Sequence, residues 1–186
     1  QLLPDILAKR ADVLSPRMVR IVAELAGDWR RLDERIETVT DEIEELAKSD
    51  DSCRRVMTVP GIGPIISSAM VAAIGNGAAF ARGRDFSAWL GLVPKQMSTG
   101  DRTILGRISK RGNGYLRTLF MQAARVILLR SANWPKHGFG LWLVRAAQRL
   151  HPNVLAAALA NKLARIAWTV LAQERAYESR ITKATA

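Results

Sequence analysis

The chain has 186 residues, a formal net charge of +11 and 48% hydrophobic residues, enough apolar material for one core plus an extension. Its single cysteine, Cys53, excludes an intramolecular disulfide and, with only two histidines, argues against a structural zinc site. No apolar run of about 18 residues and no signal peptide can be read, which argues against a membrane partner.

The charge is unevenly placed. Residues 1–51 hold 8 basic and 13 acidic side chains, net −5, whereas residues 52–186 hold 20 basic and 4 acidic, net +16. An acidic helical arm over 1–51 and a basic, nucleic-acid-binding body over 52–186 are expected from this asymmetry. The chain begins with Gln rather than Met, and it reads as a piece of something longer.

Residues 1–15 read as a short helix or an irregular lead-in. Ser15-Pro16 is a helix start, with Ser as N-cap and Pro in the first turn. The apolar positions that follow are Met18, Val22, Leu25, Trp29, Leu32, Ile36, Val39, Ile43 and Leu46, spaced 4-3-4-3-4-3-4-3. Such a seam predicts a coiled coil, with a second copy of the chain or a preceding helix as partner. The alternative is an amphipathic helix lying on its own domain.

Ser49 to Ser52 ends the arm. Residues 54–75 then read as a helix-hairpin-helix motif: a short helix, a Pro60-Gly61-Ile62-Gly63 turn and a second helix from Ile65 to Ile74. Gly61 and Gly63 permit positive φ, which lets backbone amides face a phosphate at a helix N-terminus. An ordinary Gly-Pro helix hairpin is the alternative. Gly75-Asn76-Gly77 is a loop, and Asp85 caps a short helix carrying Phe86, Trp89 and Leu90.

A basic loop over about 91–117 organises the chain. It holds Lys95, Arg102, Arg107, Lys110, Arg111 and Arg117 against one acid, Asp101, together with several glycines and the hydroxyls of Ser98, Thr99, Thr103 and Ser109. Guanidinium forks suit phosphate oxygens, and glycine lets backbone N–H groups come close. A hydroxyl in that setting can attack a phosphodiester if cations stabilise its alkoxide. The plainer reading is a solvated surface loop.

Three helices complete the pattern: Tyr115 to Ser131, Phe139 to Leu150, and Val154 to Tyr177 with Asn153 as N-cap. The first carries Leu116, Leu119, Phe120, Ala123, Val126 and Ile127 inward. Asn161, Lys162 and Arg165 interrupt the apolar stripe of the last, as a phosphate clamp or as a polar face. His137 and His151 read as turn residues. No strand pattern emerges, so an all-α fold is expected.

Several of these segments in order resemble one family. They are Val59 to Gly63, Phe86 to Pro94, Ser98-Thr99-Gly100, Gly106 to Gly112, Leu116-Arg117 and Ala160 to Trp168. Together, over roughly residues 52–172, they resemble the C-terminal transposase domain of the DEDD insertion-sequence recombinases, relatives of the Piv and MooV invertases. The acidic arm is similar to that family's linker.

The resemblance implies a DNA recombinase acting in the bacterial cytoplasm, at the nucleoid. It implies an N-terminal RuvC-like domain with a Mg2+ site, a coiled coil that joins that domain to the C-terminal one, a structured non-coding guide RNA, and a serine nucleophile in the C-terminal domain. No metal or other cofactor is expected in residues 1–186. The serine that often precedes the glycine in the family is Thr99 here, with Ser98 one residue earlier. Ser98 is the expected nucleophile, its primary hydroxyl being less hindered than that of β-branched threonine. Thr99 is the alternative, and Ser109 reads as a phosphate contact or N-cap. The competing functions are a non-catalytic nucleic-acid-binding and dimerisation module, and a coiled-coil assembly domain whose charge only aids solubility.

Overall fold

The structure is a computed structural model that describes Ile6 and residues 13–179. Most of the expected lead-in over residues 1–15 lies outside the described residues. The chain divides into two compact units, Gln1–Glu45 and Leu46–Ala186.

In the first unit the dominant element is α1, Pro16–Ser49, a helix whose range runs on past Glu45. Ser15 Oγ accepts from the Met18 N–H, as a helix N-cap should. Most of the seam is bare in the single chain: Leu25, Leu32 and Ile36 are each 60% exposed or more and Trp29 is 70% exposed, while Val22 and Ile43 are partly buried. Ion pairs Arg20–Glu24 and Arg31–Asp28 lie along the surface, where such pairs contribute little.

The second unit is mainly helical, with one small sheet. Its elements are α2 (Asp51–Met57), α3 (Pro64–Ile74), α4 (Gly83–Trp89), β1 (Pro94–Thr99), β2 (Arg102–Ile108), α5 (Gly114–Leu129), a 3-10 turn (Ser131–Lys136), α6 (Gly140–Ala147) and α7 (Pro152–Ala172). The sheet corrects the all-α expectation, and its consequences belong to the site.

The core forms around α7. Leu159, Ala160, Leu163, Ala164 and Ala167 are all fully buried, and both α4 and α5 pack on this helix. Alanine at three of these positions lets neighbouring helices approach closely, while Leu159 and Leu163 fill the space between. Phe86 of α4 meets Phe120 of α5 edge to face, with centroids 6.1 Å apart. Indole N–H groups tie loops to this body: Trp168 donates to the Gly77 carbonyl at 3.0 Å and Trp134 to that of Ile127 at 2.9 Å. On length and composition α7 is apolar enough to cross a membrane, but its large side chains are spent in this core.

Local signals place the helix starts, with exceptions. Asn113 Oδ1 accepts from the Leu116 N–H and opens α5. For α7 the cap is His151, whose Nδ1 accepts from the Asn153 N–H. Asn153 is therefore inside the helix and not its cap, because Pro152 already occupies the first turn. On α5 it is Ala124 that is buried, while Val126 is 47% exposed. The last helix stops at Ala172.

Candidate nucleic-acid interface

The basic loop is a β-hairpin. β1 and β2 pair antiparallel, with Met97 opposite Ile104, Ser98 opposite Thr103 and Thr99 opposite Arg102. The two-residue connection is Gly100-Asp101, with Gly100 at φ +59°, a geometry that suits a tight hairpin turn. Register slips between Pro94 and Gln96, which leaves a bulge near the hairpin base. Nearly every residue of both strands is exposed. Thr103, Ile104 and Ile108 around a Gly-Asp turn were the available strand signal; the density of glycine and positive charge masked it.

The base is held by two backbone crossings. The Ser109 N–H donates to the Val93 carbonyl at 2.8 Å, and that of Lys110 to Gly91 at 3.1 Å. Gly112 has φ +82°, and a Cβ there would lie 1.7 Å from the Trp89 carbonyl oxygen, so only glycine fits. Lys110, also at positive φ, carries backbone strain of the kind that gathers at functional positions.

Two expected phosphate contacts brace this base. Arg117 Nη1 donates to the Leu90 carbonyl at 2.9 Å, across 27 residues. Asn161 Nδ2 donates to the Leu92 carbonyl at 3.2 Å, joining α7 to the strand that enters the hairpin.

The pleat separates the two candidate nucleophiles. Successive strand residues face opposite sides, so Gln96, Ser98, Thr103 and Leu105 share one face, and Met97, Thr99, Arg102 and Ile104 the other. Arg102 therefore lies on the face of Thr99, not beside Ser98 as a loop would have allowed. Ser98 has a partner of its own: Gln96 Nε2 donates to its Oγ at 2.8 Å. Lys95 and Arg107 lie on the strands, while Ser109, Lys110 and Arg111 follow at the base, where Ser109 Oγ takes a long 3.5 Å contact from the Arg111 N–H.

Gly61 and Gly63 occupy the turn between α2 and α3. Gly61 has φ +81°, and a Cβ there would collide with Ile127, so the turn sits close against α5. Gly63 is extended at φ −107° with open space around it, so the positive φ expected of it is not needed. The Ile62 N–H is spent on the Val59 carbonyl. Beside Gly61 is a cavity of about 340 Å3 lined also by Arg130, Lys136 and His137. Burial, then the charge of Lys136, pushes the His137 imidazolium below the usual histidine range.

Lys162 and Arg165 are not on the hairpin. They line a cavity of about 480 Å3 with Arg82, Arg84 and Arg175. Those three arginines carried no pattern in the sequence, because none shares a periodic element with Lys162: Arg82 and Arg84 flank the start of α4, and Arg175 lies beyond the end of α7. Among the described residues no three of His, Cys, Asp and Glu lie together, so they offer no donor set for the Mg2+ that the resemblance implies.

Comparison with known proteins finds similarity to transposases. Residues 53–138 match the Transposase IS116/IS110/IS902 family. The chain is 42% identical over 176 residues to a probable family 20 transposase of Pseudomonas aeruginosa, covering 95% of this chain and 52% of that protein. It is 41% identical over 160 residues to the transposase for insertion sequence element IS1328 of Yersinia enterocolitica, covering 86% and 48%. Against the transposase for IS1111A of Coxiella burnetii it is 39% identical over 175 residues, covering 94% and 48%. The chain thus spans about half the length of these curated relatives.

Proposed function

We propose that this chain, whose residues 53–138 match the IS116/IS110/IS902 transposase family and most of whose length aligns with transposases, presents the nucleophile of a DNA transposase on its hairpin. Ser98 is that nucleophile. The observation that carries the choice is the Gln96 amide donating to Ser98 Oγ at 2.8 Å. A donor aimed at the oxygen leaves the hydroxyl proton available to a base and stabilises charge as it develops. Thr99 lies on the other side of the blade, away from that amide.

In the step proposed, Ser98 Oγ bonds to the scissile phosphorus, the bond to the leaving sugar oxygen breaks, and the serine proton passes to a base. Asp101 is the nearest acid along the chain, but it sits in the hairpin turn; the base is assigned to the RuvC-like domain that the family resemblance implies. Lys95, Arg107, Lys110 and Arg111 hold the DNA backbone by charge without reading sequence. The α2–α3 turn, read as a helix-hairpin-helix, grips a further phosphate. A guide RNA choosing the sites belongs to the same reading.

The experiment uses the full-length transposase with DNA, guide RNA and magnesium, denatured after reaction. Protein-linked DNA should form, Ser98→Ala should abolish it with binding retained, and Thr99→Ala should not. The reverse pattern would move the nucleophile by one residue.

The exposed seam of α1 is read as the face that joins two copies. Each large apolar side chain covered contributes about 1.5–3 kcal/mol. Sedimentation should show a dimer or larger species, weakened by Leu32→Glu with Ile36→Glu. A monomer at all concentrations would remove this part of the proposal.

A further inference from the structure

Three segments wall the 480 Å3 cavity: the start of α4, the middle of α7 and the stretch Arg175–Glu178 after it. Their placement is built in. Gly83 lies so close to α7 that an added Cβ would stand 3.0 Å from the Arg165 carbonyl oxygen and 3.2 Å from the Trp168 ring. Arg82 and Arg84, on either side of Gly83, are thereby brought to Arg165. The third wall is tied down by the Arg175 N–H on the Val170 carbonyl at 3.2 Å and the Tyr177 N–H on Thr58 Oγ1 at 2.7 Å.

The lining carries four arginines and Lys162 against one acid, Glu178. None of the five cations makes an ion pair among the described residues. Lys162 is oriented by its contact with the Trp142 ring, Nζ standing 5.0 Å from the centroid. Burial, and then repulsion from Arg165, holds the Lys162 ammonium below the usual lysine range. Five like charges gathered at a cavity with a single acid repel one another, and a bound anion relieves that cost. The volume is within the range of about 300–1,000 Å3 typical of ligand sites.

We propose that this cavity binds one nucleotide of an unpaired nucleic-acid strand, its phosphate held by Arg84, Arg165 and Arg175. Guanidinium forks pair with phosphate oxygens two at a time, as they do with carboxylates, and the net +16 of residues 52–186 points to the polyanion of the two. A duplex presents its phosphates on a stiff convex ridge, whereas an unpaired strand bends a single nucleotide into a recess. Tyr177 in the lining offers a ring beside the sugar or base, the combination of cations and aromatic surface that single-strand sites use. The inference rests on the nucleic-acid part of the reading above, and it is independent of which hydroxyl reacts.

The test measures binding of this chain to labelled single strands of DNA and of RNA and to a duplex of equal length. Arg84→Gln with Arg175→Gln should weaken a single strand about tenfold or more and the duplex by less than about twofold; whichever strand loses more identifies the source. Arg107→Gln with Arg111→Gln, at the hairpin, should weaken the duplex at least as much as the single strands. Equal losses on strand and duplex from the cavity variant, or no loss on either, overturn the proposal. If the double variant does not fold by circular dichroism, Arg175→Gln alone, beyond the last helix, should still show the preferential loss on the single strand. Should the unaltered chain bind no nucleic acid, the wider reading falls as well; should it bind and ignore the cavity variants, this inference alone falls.

Discussion

Leu105 on the hairpin and Leu159 on α7 are the same side chain in opposite circumstances. Leu105 is 64% exposed and Leu159 fully buried. The helical body around α7 buries Leu159, Leu163, Leu171 and Phe120 among neighbouring elements, while the hairpin leaves Met97 and Ile104 exposed as well. A lone two-stranded hairpin is at best marginally stable in water. This one persists because its base is stitched to the body by backbone hydrogen bonds, by Arg117 and by Asn161. The comparison teaches where reactivity can be housed: the candidate nucleophile lies on an element that contributes little to the core and stays open to solvent.

The largest test of that contrast is a pair of truncations. Leu159→Ala should cost about 2–5 kcal/mol, because it opens a cavity that the surrounding helices cannot fill. Leu105→Ala should change stability by less than about 0.5 kcal/mol, as exposed substitutions do. Denaturant unfolding of both variants measures the difference. A large loss at Leu105 would mean that the hairpin packs onto the body.

Next in size is the stitch between the two regions. Gly112→Ala introduces a Cβ where the Trp89 carbonyl oxygen stands 1.7 Å away, at φ +82°. The backbone must shift, at a cost of about 1–3 kcal/mol. Amide exchange should then quicken at Ser109 and Lys110, whose N–H groups bond across the base, more than at Ala164 in the core. Uniform quickening would mean that the glycine supports the whole fold.

Legibility in the sequence follows the same division. The helices are readable, because heptad spacing in α1, Ser15-Pro16 and Asn113 act locally. The hairpin is not, because alternation is weak in Lys95 to Thr99 and glycine there resembles a loop. The two candidate hydroxyls can be named as neighbours; that they face opposite sides, with Arg102 on the side of Thr99, needs the register. The arginine cavity is invisible, since it depends on Gly83 packing against Arg165, a long-range contact with no periodic trace. The hydrogen bonds of Asn161 and Arg117 to backbone carbonyls are hidden for the same reason.

The smallest effect should come from a feature that belongs to the body but, like the hairpin, faces water. Asp50 caps α2, its Oδ1 accepting from the Cys53 N–H at 2.7 Å. That hydrogen bond is the main reason its carboxyl titrates below its ordinary 3.8, with burial opposing it. A depressed carboxylate pKa favours the folded state above 3.8, and the contribution fades as pH falls through the folded value. Asp50→Ala should therefore cost about 0.5–2 kcal/mol at neutral pH, and the gap to the unaltered chain should narrow as Asp50 is protonated, down to what its neutral acceptor oxygen still contributes. Asp50→Asn keeps an acceptor for the Cys53 N–H, so it should retain most of the stability with a flatter dependence on pH. Unfolding measured across the acid range decides the matter. A gap between the unaltered chain and the Asp50→Ala variant that stays constant with pH would assign the effect to the acceptor oxygen alone. Exposure, not membership of the body, would then be the variable that sets how much a residue of this protein contributes.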